Sequence, residues 1–492
     1  MVAQFRWSGQ RMAVVAFGLG AVMAAGQAPL GWWWATLGAM AGLVALVSRA
    51  EGARRAFWTG LFGGAGYFAS ALSWIVEPFL IDAAQHGWMA PFAVLFLAFG
   101  LALFWGAAAA LSAGARQRAL GFAVALSVAE LLRGYVLTGF PWALPGHVWI
   151  GTPLDQVAAY IGPSGLTLMT ILAAALPVAW GWPGALAAGV GLAGLGVAGQ
   201  MRLNQPLPPD RDVTLRLVQP NAEQHLKWDE SLARLYFDRQ LELTRAEPVA
   251  DLTIWPETAV PYLMEYSPEI VPEIMAASGG RPVALGIQRV EGERFYNSLR
   301  VLERDGMIAA EYDKSHLVPF GEYVPFGDLL GDWFGITAFA SQAGNTYTAG
   351  AGPAVLNLGR MGKVLPLICY EAVFPQDVGA APERADWILQ ITNDAWFGVW
   401  TGPFQHAAQA RLRAVEQGLP LVRVANTGVT EVVDARGRVV KALPFGTIGA
   451  LDVALPGALP PTPFARYGET PVILLLAGLA VATLRRRGQA TH

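Results

Sequence analysis

The chain has 492 residues, of which 54% are hydrophobic and only 14% are charged, whereas about a quarter of the residues in soluble domains are charged. The net charge of −3 gives no reason to expect a nucleic-acid partner, and a single cysteine excludes an intramolecular disulfide framework. This composition is typical of a membrane protein that also carries a water-soluble part.

Apolar stretches long enough to approach the thickness of a bilayer core dominate the first 200 residues, and one more lies near the C-terminus. They cover residues 12–28, 30–47, 56–76, 88–112, 119–137, 165–182, 184–199 and 471–484. Only a Trp-Pro-Gly turn separates the sixth from the seventh, so a single re-entrant hairpin is the alternative there. A cleaved signal peptide at the first stretch is disfavoured, because the second stretch follows almost at once.

Arginine placement predicts the orientation of these stretches, because cytoplasmic loops retain positive charge. Arginines precede the first stretch and follow the second, fourth and last, at Arg6, Arg11, Arg49, Arg54, Arg55, Arg116, Arg118 and Arg485 to Arg487. The opposite loops, 77–87 and 138–164, have neither lysine nor arginine. We therefore expect eight crossings, both termini in the cytoplasm, and the polar region between the last two stretches outside.

That polar region reads as an α/β layered domain, because short apolar strands alternate with helices. Strands are predicted at 213–219, 250–257, 281–288, 363–371 and 386–394, helices near 229–245 and 403–418, and a hairpin turn at 304–306. Proline-rich segments at 204–212 and 454–464 mark its two ends. The predicted domains are a bundle of about seven helices at 1–199, the α/β domain at 200–470, and a transmembrane helix with a basic tail at 471–492.

Polar side chains at the ends of buried strands are candidates for catalysis, because loops present them to a cleft. Glu257 follows an apolar run and a Trp-Pro pair, so it suits a general base, although on this motif alone a helix-capping or surface glutamate is the simpler explanation. Lys314 follows another strand and could stabilise an oxyanion, or it could be a solvated hairpin lysine. Glu322 lies eight residues further on, and His316 between them is more simply a structural histidine.

The single cysteine, Cys369, ends the strand at 363–371 and is followed by Tyr370 and Glu371. The thiolate is the reactive form, and an unperturbed thiol is mostly protonated at neutral pH. A nearby carboxylate could take the proton and a lysine could hold the resulting charge. Most lone cysteines are small buried hydrophobes, and that explanation stays open for Cys369 alone.

Taken together and in this order, Glu257, Lys314 and Cys369, with the flanks "IWPE", "YDK", "PFGEY" and "CYE", resemble the Glu–Lys–Cys triad of the nitrilase superfamily. Glu322 matches the superfamily's second glutamate, which helps to position substrate and triad. With the apolar stretches and the motifs "TGFPW", "KWDE", "NDAWFG" and "VRVANTG", nearly the whole chain resembles the apolipoprotein N-acyltransferase family. The expected fold is a multi-span α-helical membrane bundle plus an α/β nitrilase-like αββα sandwich domain.

The resemblance implies an enzyme that moves an acyl chain from a phospholipid, through a thioester on Cys369, to the α-amine of the diacylglyceryl-cysteine of an apolipoprotein. It also implies a location in the bacterial inner membrane, among membrane lipids, with the catalytic domain on the periplasmic side. We expect no cofactor and no metal, because the six histidines lack ligand spacing. We also expect no nucleic-acid partner and a monomer.

Further residues are assigned supporting or substrate-binding roles, namely Glu322, Tyr370, Glu371, Trp228 and Trp396. The segment 326–344 is interpreted as an apolar arm that reaches toward the bilayer, and 393–403 as a lid or cleft wall, with core packing as the alternative for both and for Trp228. In the fifth apolar stretch, Glu130 and Arg133 lie three apart on one helix face, where we expect a structural ion pair.

Two rival functions remain. A membrane-tethered nitrilase-like amidohydrolase would use the same triad with water as the acceptor, but a soluble substrate gives no reason for seven membrane helices. A lipid-binding or transport scaffold with an inactive domain is the rival from another class, and the intact Glu257, Lys314 and Cys369 set argues against it.

Overall fold

The computed structural model describes residues 9–224, 226–227, 230–325 and 346–484. Their contacts divide the chain into two compact units. One contains the residues up to Gln205 together with those from Pro463 onward, and the other runs from Pro206 to Thr462. The predicted apolar arm at 326–344 and Trp228 lie outside the described residues.

The first unit is a helical bundle whose main helices overlap the predicted stretches. They are α1 Gly9–Met23, α2 Trp33–Arg49, α3 Gly52–Ala71, α4 Ala90–Ser112, α5 Arg118–Arg133, α6 Ala158–Trp180, α7 Trp182–Leu203 and a C-terminal helix, Thr470–Leu484. Within the described ranges, four helical segments are long and apolar enough to cross a membrane, at 9–26, 83–112, 153–180 and 182–203. The remaining main helices are shorter or less apolar, so eight crossings stay a prediction.

Helix α3 is less apolar because it is packed inside the bundle and carries glycines at its closest contacts. A Cβ atom on Gly66 would lie 2.0 Å from the carbonyl oxygen of Phe17, and one on Gly20 would lie 1.9 Å from that of Gly63. Small residues let helix backbones in a membrane approach this closely. Packing against protein rather than lipid removes the need for large apolar side chains on this helix.

The predicted ion pair is present at the end of α5, where both side chains are only 1% exposed. Arg133 Nη2 lies 2.6 Å from Glu130 Oε2, and Trp105 Nε1 donates to Glu130 Oε1 at 2.7 Å. Arg133 Nη1 also donates to the carbonyl oxygens of Phe140 and Trp142 in the following loop. The pair thus ties the helix end to its loop, and α5 ends at Arg133 instead of continuing to residue 137.

Helices α6 and α7 are two separate helices of 23 and 22 residues, each long enough to cross a bilayer core. Gly181, with φ 63°, joins them in a conformation that favours glycine. Helix α6 begins seven residues earlier than predicted, because it continues through a break at Gly162, also at φ 63°. The C-terminal helix packs on α6 through Val472 and Leu476.

The second unit contains two six-stranded sheets. The strands are β1 Thr214–Gln219, β2 Leu252–Ile254, β3 Val283–Glu291, β4 Arg294–Leu302, β5 Ile308–Asp313, β6 Leu356–Asn357, β7 Lys363–Ile368, β8 Trp387–Thr392, β9 Leu421–Ala425, β10 Thr430–Val433, β11 Val439–Leu443 and β12 Gly449–Ala454. The first sheet has the order β12-β1-β2-β3-β4-β5 and the second β11-β10-β9-β8-β7-β6. Strands β1 to β3 and β7 to β9 are parallel, and the strands that flank them are antiparallel.

Helices cover the sheets and enclose two cores. Helices α8 Glu230–Thr244 and α9 Ile270–Ala277 bury Phe237 and Ile274 against the first sheet. Helix α10 Gly402–Gln417 buries Ala410 and Ala414 against the second. The predicted αββα sandwich is confirmed, and so is the hairpin between β4 and β5, where Gly306 has φ 78°.

Candidate active site

The three candidate catalytic side chains follow strands from both sheets. Glu257 comes three residues after β2, Lys314 directly follows β5, and Cys369 directly follows β7. The exposed fractions of these residues are 5%, 1% and 5%. The site is therefore enclosed in the sandwich, where charges interact more strongly than they do in water.

The Lys314 ammonium lies between two carboxylates. Its Nζ donates a hydrogen bond of 2.8 Å to Glu322 Oε1 and lies 3.6 Å from Glu257 Oε1. Burial by itself lowers the pKa of Lys314, but the negative charges of Glu322 and Glu257 outweigh it and hold the pKa above its usual range. Lys314 is therefore a fixed cation.

Both oxygens of Glu257 are held by hydrogen bonds. Asn297 Nδ2, on β4, donates to Glu257 Oε1 at 2.7 Å, and the backbone N–H of Asn393, after β8, donates to Oε2 at 2.8 Å. Asn297 Nδ2 also lies 3.2 Å from Glu322 Oε1 and so bridges the two carboxylates. The sequence analysis singled out neither asparagine, although Asn393 begins the motif "NDAWFG" and the segment that was interpreted as a lid or cleft wall.

Cys369 adopts φ 52°, a left-handed conformation that is strained for any residue but glycine and that clusters at functional sites. Burial and the negative charge of Glu257 raise the pKa of the thiol, and Lys314 offsets them only in part. The Thr392 side chain lowers the pKa of the thiol, but by less than burial raises it. At rest this site therefore contains a protonated thiol beside a carboxylate, and not a preformed thiolate.

Glu371 connects the segment after Lys314 to the strand before Cys369. Its Oε1 accepts from the backbone N–H groups of Ser315 and His316 at 2.7 and 3.1 Å and from Tyr312 Oη at 2.7 Å. Its Oε2 accepts from the Ile368 N–H at 2.7 Å. Burial raises the pKa of Glu371 in spite of these donors. The contacts are those of a support that holds two strand ends together.

Tyr370 and His316 pack around Phe374. The Tyr370 ring meets Phe374 edge to face at 4.8 Å between centroids, and the His316 ring stacks on Phe374 at 3.7 Å. His316 Nδ1 lies 2.7 Å from Asp377 Oδ2. These contacts give His316 the structural environment expected for it.

A cleft of about 340 Å³, counted with its open mouth, reaches the carboxylates. Its walls include Glu257, Asn297, Glu322, Tyr347, Asn393 and the half-buried Trp396. The segment 393–403 is thus partly cleft wall, while Val399 and Trp400 on the same segment are 55% and 77% exposed. A carboxylate, a fixed cation and a thiol are the groups that acyl transfer through a cysteine requires, and Glu257 is the one of these three that lines the cleft.

Comparison with known proteins finds a matching family model for each of the two units. The family model "Apolipoprotein N-acyltransferase N-terminal domain" matches residues 19–176, and "Carbon-nitrogen hydrolase" matches residues 212–459. The chain is 40% identical to an apolipoprotein N-acyltransferase of Caulobacter vibrioides, covering 97% of this chain and 95% of the relative. A relative of the same name from Bradyrhizobium diazoefficiens is 38% identical over 90% of this chain and 88% of its own length.

Among solved structures, a CN-hydrolase superfamily protein from Xanthomonas campestris is similar to part of the chain. The alignment has 19% identity and a TM-score of 0.37, and it covers 50% of this chain and 91% of that protein.

Proposed function

The chain belongs to the apolipoprotein N-acyltransferase family and is a membrane acyltransferase, and on that premise we propose that it moves an acyl chain from a phospholipid, through a thioester on Cys369, to the α-amine of a diacylated apolipoprotein. The observation that carries the proposal is the placement of the Lys314 ammonium between Glu257 and Glu322, with its charge and that of Glu257 acting on the thiol of the single cysteine.

In the first half-reaction, Cys369 Sγ attacks the ester carbonyl of the phospholipid while Glu257 accepts the thiol proton. Because the thiol is protonated at rest, proton transfer accompanies the attack. Lys314 and the N–H of Tyr370 stabilise the oxyanion of the tetrahedral intermediate. The C–O bond then breaks, Glu257 returns the proton to the departing lysophospholipid, and the acyl group stays on sulfur.

In the second half-reaction, the α-amine of the N-terminal diacylglyceryl-cysteine attacks the thioester carbonyl. Glu257 accepts a proton from the amine, the C–S bond breaks, and the sulfur leaves and is protonated again. The amide product is more stable than the thioester, so this step runs downhill. Asn297 and the Asn393 N–H keep the carboxylate of Glu257 in place in both halves.

The lipid nature of the donor is consistent with a catalytic unit attached to a membrane bundle. At about 0.8 kcal/mol per methylene, moving a long acyl chain into water would cost more than ~10 kcal/mol. Donor and acceptor therefore reach Cys369 most favourably from an apolar phase. The arginine distribution supports a catalytic unit on the periplasmic side of the bacterial inner membrane, with both termini in the cytoplasm, and we further propose a monomer.

The test follows the acyl group. Purified protein is incubated with a phospholipid that carries a labelled acyl chain, and the intact protein is weighed. We expect a mass increase of one acyl group that hydroxylamine removes, and no increase for Cys369→Ser. Adding a diacylated lipopeptide should then transfer the label to the peptide amine.

Label released only as free fatty acid would support the hydrolase instead. A Cys369→Ser protein that still supports lipoprotein maturation in cells would support a scaffold.

A further inference from the structure

A buried polar cluster surrounds the backbone carbonyl of Cys369 and has no part in the reaction above. Gln390 on β8 and His406 on α10 are both 0% exposed. Gln390 Nε2 and His406 Nε2 each lie 3.0 Å from the Cys369 carbonyl oxygen. The nucleophile's own backbone is therefore held by two side chains from different elements.

The His406 ring is fixed in its orientation by its other neighbours. Asp394 Oδ1 lies 2.9 Å from Nδ1, and Arg423 Nη2 donates to Asp394 Oδ2 at 2.7 Å. Thr392 Oγ1 donates to the same carboxylate, and the Phe397 ring packs edge-on against the imidazole at 5.3 Å between centroids. Burial raises the pKa of Asp394, but Arg423 and His406 lower it by more, and the net effect is a pKa below the usual range. Asp394, which holds the ring in place, is therefore an ionised carboxylate.

The direction of the hydrogen bond to Cys369 follows from the chemistry of its partner. A carbonyl oxygen only accepts, so His406 donates to it in the tautomer that carries a hydrogen on Nε2. Gln390 Nε2 lies 3.1 Å from the same ring nitrogen, and in that tautomer it donates to the Cys369 carbonyl and not to the ring. The carbonyl of Cys369 and the N–H of Tyr370 belong to one planar peptide unit and point in opposite directions. Donors that fix and polarise the carbonyl therefore aim the N–H and make it a stronger donor.

We propose that His406 and Gln390 are positioning residues that hold the Cys369–Tyr370 peptide so that its N–H faces the oxyanion formed during acyl transfer. The peptide needs such support because Cys369 is in a strained left-handed conformation at the start of the turn Cys369–Val373. This inference deepens the proposed function and rests on it.

Two substitutions at position 406 distinguish the effect of losing the hydrogen bond from the effect of losing the imidazole ring. The amide nitrogen in His406→Gln reaches the place of Nε2 and can still donate to the Cys369 carbonyl. The amide in His406→Asn reaches only as far as Nδ1, so that donor is lost. We expect thioester formation, measured as single-turnover mass gain from phospholipid, to fall roughly 10–100-fold in His406→Asn, below the effect of a directly removed oxyanion donor. His406→Gln should stay within about 3-fold of the unsubstituted protein, less than half a decade in rate.

Alkylation of Cys369 by iodoacetamide is the second readout, because that reaction forms no oxyanion. We expect its rate to change less than about 2-fold in both variants, a barrier change well under that of one decade. Gln390→Leu, which removes the other donor, should show the same division between slow acylation and unchanged alkylation. If His406→Asn does not fold, the acylation and alkylation rates of Gln390→Leu still test the inference.

Thioester formation at the unsubstituted rate in His406→Asn would overturn the inference. An equal loss of acylation and alkylation would also overturn it, because that pattern means a merely structural role. An unsubstituted protein that forms no thioester would instead contradict the proposed function itself.

Discussion

At the residue scale, the Lys314 ammonium is shared by two carboxylates. Lys314 contributes one positive charge, and Glu257 and Glu322 contribute two negative charges within 3.6 Å of its Nζ. A third anion, the thiolate of Cys369, would be costly beside this arrangement, and burial together with the charge of Glu257 raises the pKa of the thiol. In the proposed mechanism Glu257 therefore acts on Cys369 in two opposite ways: its charge raises the pKa of the thiol at rest, and its carboxylate takes the thiol proton during attack.

Replacing Glu257 by Gln should therefore separate thiol ionisation from acyl transfer. Loss of the negative charge lowers the pKa of Cys369, so alkylation by iodoacetamide at pH 8 should become ~3–10-fold faster, since tenfold corresponds to one pKa unit. Thioester formation from phospholipid should fall by at least ~100-fold, because the general base is gone. In the unsubstituted protein, alkylation should keep accelerating as the pH rises beyond the ordinary thiol range.

The matched control is Glu303→Gln, which removes an exposed carboxylate from the same unit and should change neither rate. Slower alkylation in Glu257→Gln would show that Glu257 promotes ionisation at rest and would contradict this account.

At the scale of elements, strand ends bring the site together and helix ends stabilise the bundle. Lys314 and Cys369 each directly follow a strand, and Glu371 joins those two strand ends through backbone N–H groups. In the bundle, Arg133 performs a similar task, because its guanidinium links the end of α5 to carbonyl groups of the following loop. Both are buried charges that hold backbone in place.

Substitution of Arg133 by Met should destabilise the bundle strongly. It leaves Glu130 as an unpaired buried charge, and breaking a buried pair in this way costs about 3–5 kcal/mol. The double variant Glu130→Met with Arg133→Met should lose less than the single variant, since no charge is left unpaired. Thermal unfolding of the purified protein in detergent measures both. A double variant less stable than the single one would show that Arg133's bonds to the loop matter more than its pairing.

For the whole molecule, the arginine distribution predicts which loops face each side of the membrane. The loop 77–87 has neither lysine nor arginine, whereas Arg116 lies between α4 and α5 and Arg118 is the first residue of α5. The single native cysteine makes labelling simple, because Cys369→Ser leaves no other thiol. Two exposed positions, Gln85 and Arg116, offer a matched pair for a reporter cysteine.

In the Cys369→Ser background, Gln85→Cys should react with a membrane-impermeant thiol reagent once the outer membrane is opened, and Arg116→Cys should react only after the inner membrane is also disrupted. The opposite pattern would place the catalytic unit in the cytoplasm and refute the proposed orientation. Equal labelling of both positions in intact inner membranes would contradict any topology in which α4 crosses the bilayer.

The sequence by itself determined the separation into membrane and α/β parts, because apolar length and charge density are local properties. It also determined most strands and helices, the hairpin at 304–306, and the strand ends on which Glu257, Lys314 and Cys369 stand. The tertiary structure alone decided what surrounds them. Asn297 and Asn393 are 40 and 136 residues from Glu257 in the chain, yet both bond to its carboxylate.

Contacts between residues that are distant in the chain also explain the raised pKa of Cys369 and the polar cluster around its carbonyl. Burial, and bonds from Gln390 and His406 that span 21 and 37 residues, arise only when the second sheet and α10 are packed. Local sequence patterns carry no information about such distant partners, because hydrogen bonds and desolvation depend on distances in space.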